Sequence, residues 1–174
     1  MNKKNNSRRR FIKKTSIISS IIILPRHVLG GKGFKAPSDK LNIAGVGVRK
    51  WGMGSVNIDA CSEENIVALC DVDHQQSLPT FKKYPKARVY KDFRNMFEKQ
   101  KDIDAVIVAT PDHNHAVITM MAIKLGKHVY CQKPLTHTVF EARKITEAAR
   151  EYNVQTQMGN QGRSSDEIRS LKEW

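Results

Sequence analysis

Leu41-Asn42-Ile43-Ala44-Gly45-Val46-Gly47, a helix-length piece from Trp51 to Ala60, and Ile66-Val67-Ala68-Leu69-Cys70-Asp71 together decide the fold. The first run is short, apolar and closed by glycines. The last is a continuous apolar run closed by an acid. Strand, glycine turn, helix and strand in that order make a βαβ unit, whose two strands are parallel. An apolar run without alternation is what a strand covered on both faces requires.

The same alternation continues outward. Gln75 to Lys83 is of helix length, Arg88 to Tyr90 is a short strand, and Phe93 to Lys99 is a helix with Phe93, Met96 and Phe97 on one side. Ala105 to Ala109 is a β-branched strand. Asn114 to Leu125 carries Val117, Ile118, Met121 and Leu125 at helical spacing. His128 to Cys131 is a strand, Val139 to Tyr152 a helix through Ile145 and Ala149, and Val154 to Met158 the sixth strand. The expected architecture is α/β: a doubly wound, Rossmann-like parallel sheet in a three-layer α-β-α sandwich. Six strands, with glycines after the first, favour it over a closed barrel.

Within that frame Gly45 allows a tight turn, and Gly47 lets backbone N–H groups and a helix N-terminus approach a pyrophosphate. Lys50 stands where the third glycine of a GxGxxG turn belongs, with Gly52 and Gly54 later. The loop is therefore one or two residues longer, or the fingerprint is degraded. Asp71, 26 residues after Gly45, ends the second strand where a carboxylate can accept from ribose hydroxyls and repel a 2′-phosphate, so NAD is preferred over NADP. Asp73 and His74 flank the adenine end. Asn160 and Gln161, after the sixth strand, can offer amides to a ligand or satisfy their own turn.

Composition sets bounds on partners. Of 30 Lys and Arg, 11 fall in Met1 to Lys40 beside a single acid, Asp39, so the charge of +13 is concentrated in the leader. The body is nearly balanced and has no basic stripe interleaved with aromatics, which excludes nucleic acid as its partner. Cys61, Cys70 and Cys131 lack the spacing of a disulfide scaffold or zinc ribbon, and Cys70 and Cys131 sit in strand runs as small hydrophobes. His113 and His115 at i,i+2 do not share a helix face, so no metal site is expected.

Residues 1–30 form an export signal in this reading. Ser7-Arg8-Arg9-Arg10-Phe11-Ile12-Lys13 resembles the twin-arginine consensus, and Thr15 to Leu24 is an apolar run of ten residues before Pro25. A bilayer span needs roughly 20, so the run is a signal core, not a permanent membrane span. The expected partner is the twin-arginine machinery, and the expected location is periplasmic or otherwise exported. Residues 31–40 read as a linker, 41–162 as a dinucleotide-binding domain and 163–174 as the start of a second domain.

Ala109-Thr110-Pro111-Asp112-His113-Asn114-His115 and Val129-Tyr130-Cys131-Gln132-Lys133-Pro134-Leu135 resemble the glucose-fructose oxidoreductase / inositol dehydrogenase (Gfo/Idh/MocA) family. Ile43 to Gly47 and Gln157 to Gly162 are similar to its exported branch. The resemblance implies an NAD(P)-dependent oxidoreductase acting on a sugar, polyol or glycoside carbinol, with an open-sheet second domain that holds the acid/base His or Asp. It implies that Lys133 of a Glu-Lys-Pro-like element, with Pro134, lies near nicotinamide and substrate, and that Thr110, Pro111 and the segment His113 to His115 line the nicotinamide loop. Lys133 and His113 are the catalytic candidates. Gly45, Gly47, Asp71, Thr110, Pro111, Gln132, Pro134 and Asn160 are the cofactor-binding ones. Gln132 replaces the usual Glu, keeping hydrogen bonding but losing a charge, and Arg163 stands where exported relatives carry His. Asp112 is expected to cap the helix that follows. A non-catalytic dinucleotide module or an inactive fragment is the alternative, and a homo-oligomer stays open.

Overall fold

The computed structural model describes residues 35–173. The leader, with its arginine motif and apolar run, lies outside them. The chain divides into a unit covering Met1–Asp39, of which a 3-10 turn at Pro37–Asp39 is described, and a body covering Lys40–Trp174.

The body contains β1 (Asn42–Val46), α1 (Met53–Ala60), β2 (Asn65–Cys70), α2 (His74–Lys83), β3 (Arg88–Tyr90), α3 (Phe93–Lys99), β4 (Ala105–Val108), α4 (His115–Lys124), β5 (His128–Gln132), α5 (Val139–Glu151), β6 (Thr156–Gly159) and α6 (Asp166–Glu173). The six strands form one sheet in the order β3-β2-β1-β4-β5-β6, with every pairing parallel. This is the doubly wound α/β fold that the strand-helix alternation predicts.

Strand period places alternate residues on opposite faces. Ile43, Leu69 and Ile107 pack with Val48, Ile58 and Ala87 under α1 and α2. Ala44, Val46, Ala68, Cys70, Val106, Val108, Val129 and Cys131 face the other way, against Met96 and Phe97 of α3, Ile118 and Ile123 of α4, and Ile145 of α5. Both faces being buried explains why the strands are apolar without alternation. Cys70 and Cys131 are buried small hydrophobes as expected, Cys61 is half-buried, and all three are free thiols. Burial pushes the Cys70 thiol up to about 12, with Asp71 and Asp92 adding to it, so it stays protonated.

Three local expectations are corrected. On α4 the buried face is His115, Ala116, Ile118, Thr119, Ala122 and Ile123, while Val117 and Leu125 are exposed. That helix is apolar nearly all round, so its periodicity does not select a face. The sixth strand starts at Thr156 and not at Val154, because the Val154 N–H donates to Ala149 O at 3.1 Å and closes α5 instead of joining the ladder. Asp112 does not cap α4. Residues Asp112–Asn114 form a 3-10 turn, Asn114 holds the cap position, and no side chain caps either element.

Elsewhere caps follow the chemistry. Asp73 accepts from Gln75 N and Gln76 N to start α2, and Thr138 and Glu141 form a reciprocal capping box on α5. Among the described residues no helix is long and apolar enough to cross a membrane. The helix α6 buries none of its described residues.

Candidate functional site

In a doubly wound sheet the ligand crevice lies beyond the carboxyl ends of the strands where the winding reverses. Here the reversal is between β1 and β4. A cleft of about 630 Å³ opens there, within the size range of ligand sites; it is lined by Gly47, Arg49, Trp51, Asp71, Asp73, Lys91, Thr110, Pro111 and Asn114, among others.

Backbone contact shapes the floor. Gly47 has φ of 82°, and a Cβ there would lie 2.6 Å from Ala109 O and 2.7 Å from Thr110 N. A side chain on Gly54, in the first turn of α1, would reach 1.7 Å from Gly47 O. Gly54 therefore performs the close helix packing expected of the third glycine, and the loop is four residues longer than a GxGxxG turn, more than the sequence reading allowed. Gly45 is also corrected. It lies inside β1, and its missing Cβ makes room for Val48 Cγ1 at 2.7 Å and Ile58 Cδ1 at 2.8 Å, so it serves core packing beneath the turn.

Asp71 is fixed by the same loop. One carboxylate oxygen accepts from Val48 N at 2.8 Å and the other from Asp73 N at 3.0 Å. An ionised carboxylate has roughly four acceptor directions, so two backbone donors leave capacity for a diol. Thr80 Oγ1 donates to Val48 O at 2.8 Å, and Lys50 N donates to Gln76 O at 3.1 Å. The extended loop is thus laced to the β2 end and to α2.

The other end is built by β4 and β5. Thr110 Oγ1 and Gln132 Nε2 are buried and have no hydrogen-bond partner among the described residues. Buried polar atoms are rarely left so, and of the two Thr110 lines the cleft. With the floor that excludes a Cβ and the free acceptor capacity of Asp71, the Thr110 hydroxyl fits a bound NAD. Gly47, Asp71, Thr110 and Pro111 are brought together in one cleft. Gln132, Lys133, Pro134 and Asn160 lie at the ends of the neighbouring strands β5 and β6, outside the cleft lining; Lys133, Pro134, Asn160 and His113 are exposed, and Gln132 is buried. Gln161 Nε2 donates to Tyr130 Oη at 3.2 Å, so that amide satisfies its own neighbourhood.

The family resemblance put His115 with His113 in the nicotinamide loop but gave it no structural role, and in the fold it is a buried tie between two loops. It is 1% exposed, with Nδ1 at 2.7 Å from Pro134 O and Nε2 at 2.7 Å from Thr110 O. Carbonyl oxygens only accept, so both contacts are hydrogen bonds when the ring is doubly protonated. Burial opposes the charge, but the Cys131 sulfur and the Pro134 and Thr110 carbonyls outweigh it and raise the ring to about 9. The imidazolium ties the loop after β4 to the loop after β5. The signal that could have found it is its place two residues beyond His113, at the start of an otherwise apolar helix.

The folded pKa lies above the unfolded value near 6.5. The stabilisation is therefore fully present below about pH 6.5 and lost as pH rises through about 9. His115→Gln, measured by denaturant unfolding from pH 6 to 10, is expected to cost about 1–3 kcal/mol at the acid end and progressively less toward the alkaline end. A cost independent of pH would mean that the ring is neutral.

The Gfo/Idh/MocA family, described as an oxidoreductase family with an NAD-binding Rossmann fold, matches residues 41–160. An inositol 2-dehydrogenase of Salmonella paratyphi B is 28% identical over 114 residues, covering 63% of this chain and 32% of that protein. A D-glucoside 3-dehydrogenase of Escherichia coli K12 is 36% identical over 85 residues, covering 49% of this chain and 24% of its own length. The crystal structure of an NAD binding oxidoreductase from Klebsiella pneumoniae superposes with a TM-score of 0.64 at 28% identity, covering 72% of this chain and 36% of that one. The chain thus spans about a third, or less, of the length of the curated relatives it matches.

Proposed function

The chain belongs to the Gfo/Idh/MocA oxidoreductase family, with its NAD-binding Rossmann fold, and from that premise we propose that it supplies the cofactor-binding part of an exported NAD-dependent enzyme that oxidises or reduces a carbinol carbon in a sugar, polyol or glycoside. The observation that carries this reading is the cleft at the β1/β4 reversal, where the Gly47 floor, the Asp71 carboxylate and the unpartnered Thr110 hydroxyl converge. The sugar and inositol dehydrogenases among the relatives support the substrate class.

Bound NAD supplies the hydride acceptor or donor. Asp71 holds the adenosine ribose through its free acceptor directions. The Gly47 backbone and the N-terminus of α1 receive the pyrophosphate, and Thr110 with Pro111 borders the nicotinamide. Lys133, exposed just past β5, presents an ammonium to the carbinol oxygen, where it stabilises developing negative charge. Gln132 beside it is a neutral amide, so Lys133 has no carboxylate neighbour at that position. With NAD held there, oxidation of the carbinol would also require a base for its hydroxyl proton, a role assigned here to none of residues 41–174.

Calorimetric titration of the 174-residue chain is expected to show NAD binding at least about tenfold more tightly than NADP. Asp71→Asn keeps an acceptor for Val48 N while removing the charge, and should weaken NAD by a factor of about ten and shrink the gap, in line with roughly 1.5–3 kcal/mol for a hydrogen bond to a charged group. Equal affinities in the unaltered chain would remove the assignment.

Over a panel of inositols, sugar alcohols and glycosides, this chain is expected to bind NAD without reducing it, with Lys133→Ala as the control. NADH formation that disappears in Lys133→Ala would place the acid/base group inside the chain after all, with His113 as its candidate.

Export is the remaining part of the proposal, supported by Ser7 to Lys13 and the apolar run behind it. Replacing Arg8 and Arg9 by lysine in a tagged chain should leave it in the cytoplasm on cell fractionation. Unchanged export would exclude the twin-arginine route.

A further inference from the structure

Trp51 is an outlier twice over. Its φ is 63°, a left-handed backbone that bulky residues rarely adopt, and its side chain is 88% exposed, the most exposed large hydrophobic among the described residues. The second most exposed is Val72, at 82%. Both line the same cleft. Two exposed apolar side chains in one ligand crevice, one of them on strained backbone, are a cost to the folded chain.

Their placement selects the half of the cleft. Val48 N on Asp71, Val48 O under Thr80 Oγ1, and Lys50 N on Gln76 O hold residues 48–50 against the end of β2 and against α2. Trp51 follows directly, in a turn closed by Gly52 N donating to Arg49 O at 3.1 Å. Val72 follows Asp71 on the same side. Thr110, Pro111 and Asn114 are on the β4 side of the crevice. Lys50 Nζ lies 4.8 Å from the Trp51 ring centroid, which steadies the indole and takes up one face of it. The other face is free to stack.

We propose that Trp51 and Val72 form the two walls of an adenine slot, the indole stacking on the base that the Asp71-bound ribose carries. The four extra residues of the loop put this wall in place. The inference rests on the NAD-binding reading and adds to it a base-recognition element specific to this loop.

The test uses the 174-residue chain in a Trp174→Phe background, which leaves Trp51 as the sole tryptophan of the two in the sequence. Titration with NAD or ADP-ribose should quench its emission, whereas nicotinamide mononucleotide should not. Calorimetry should give roughly tenfold weaker NAD and ADP-ribose binding for Trp51→Gly, with Trp51→Phe retaining most of the affinity, as expected for base stacking. Because glycine adopts φ of 63° freely, Trp51→Gly should leave the melting temperature unchanged or raised; a residue needed only for the fold would lower it. If NAD binds by calorimetry but Trp51 emission and the Trp51→Gly affinity do not change, or if nicotinamide mononucleotide alone quenches, the slot assignment is overturned while NAD binding stands. If the unaltered chain binds no NAD, the parent reading falls and the slot with it.

Discussion

The approach of three backbone segments with no side chain between them is the constraint on which the rest of the site depends. Gly47 at the end of β1, Gly54 at the start of α1 and the Ala109-Thr110 peptide at the end of β4 meet within distances that leave no room for a Cβ. Relaxing that contact would lift α1 from the sheet, unseat Ile58 from the core beneath it and separate the two edges of the crevice. Asp71 completes the arrangement from the side. Its bonds to Val48 N and Asp73 N join the loop after β1 to the loop after β2, and His115 joins the loops after β4 and β5 in the same way. The ends of β1 and β2 and those of β4 and β5 are therefore fixed in pairs, one pair by a carboxylate and the other by an imidazolium.

Most of the fold was legible because a sheet buried on both faces writes itself as uninterrupted apolar runs. Ala105 to Val108 and Ile66 to Cys70 could hardly have been anything else, and the acidic strand end at Asp71 follows from the same pattern. Legibility failed where periodicity carries no information. On α4 nearly every position is apolar, so the choice between Val117 and Ala116 as the inward residue was decided by packing against β4, β5 and α5. At the start of the same helix, the 3-10 turn displaced Asp112 from its expected cap.

The site was legible by residue type and less so by role. Gly45 and Gly47 were both attributed to the turn, yet only Gly47 has the backbone angle a turn requires, and Gly45 is defined by Val48 and Ile58 packing onto it. Spacing rules pointed to Lys50 as a defect, although the packing glycine is simply further along at Gly54. His115 was hidden for a different reason. Its function comes from two carbonyl oxygens 5 and 19 residues away, and no local pattern announces which main-chain acceptors a side chain will meet.

The strand order has a consequence for how the molecule comes together. β1 to β3 with α1 and α2 form one contiguous run of chain, and β4 to β6 with α4 and α5 form another, so each can assemble from neighbours in sequence. The β1–β4 ladder, from Ile43 against Ala105 to Val46 against Val108, and the Asp104 bonds to Asn42 join them along the sheet. Pairings between remote segments form late because the loop between them must first be ordered. The crevice is that seam, and it exists only after the seam has closed. A ligand lying across it favours the joined state over every partly assembled one, in proportion to its concentration and affinity. The cofactor cleft is thereby also the place where a small molecule acts as a clamp on the completed fold.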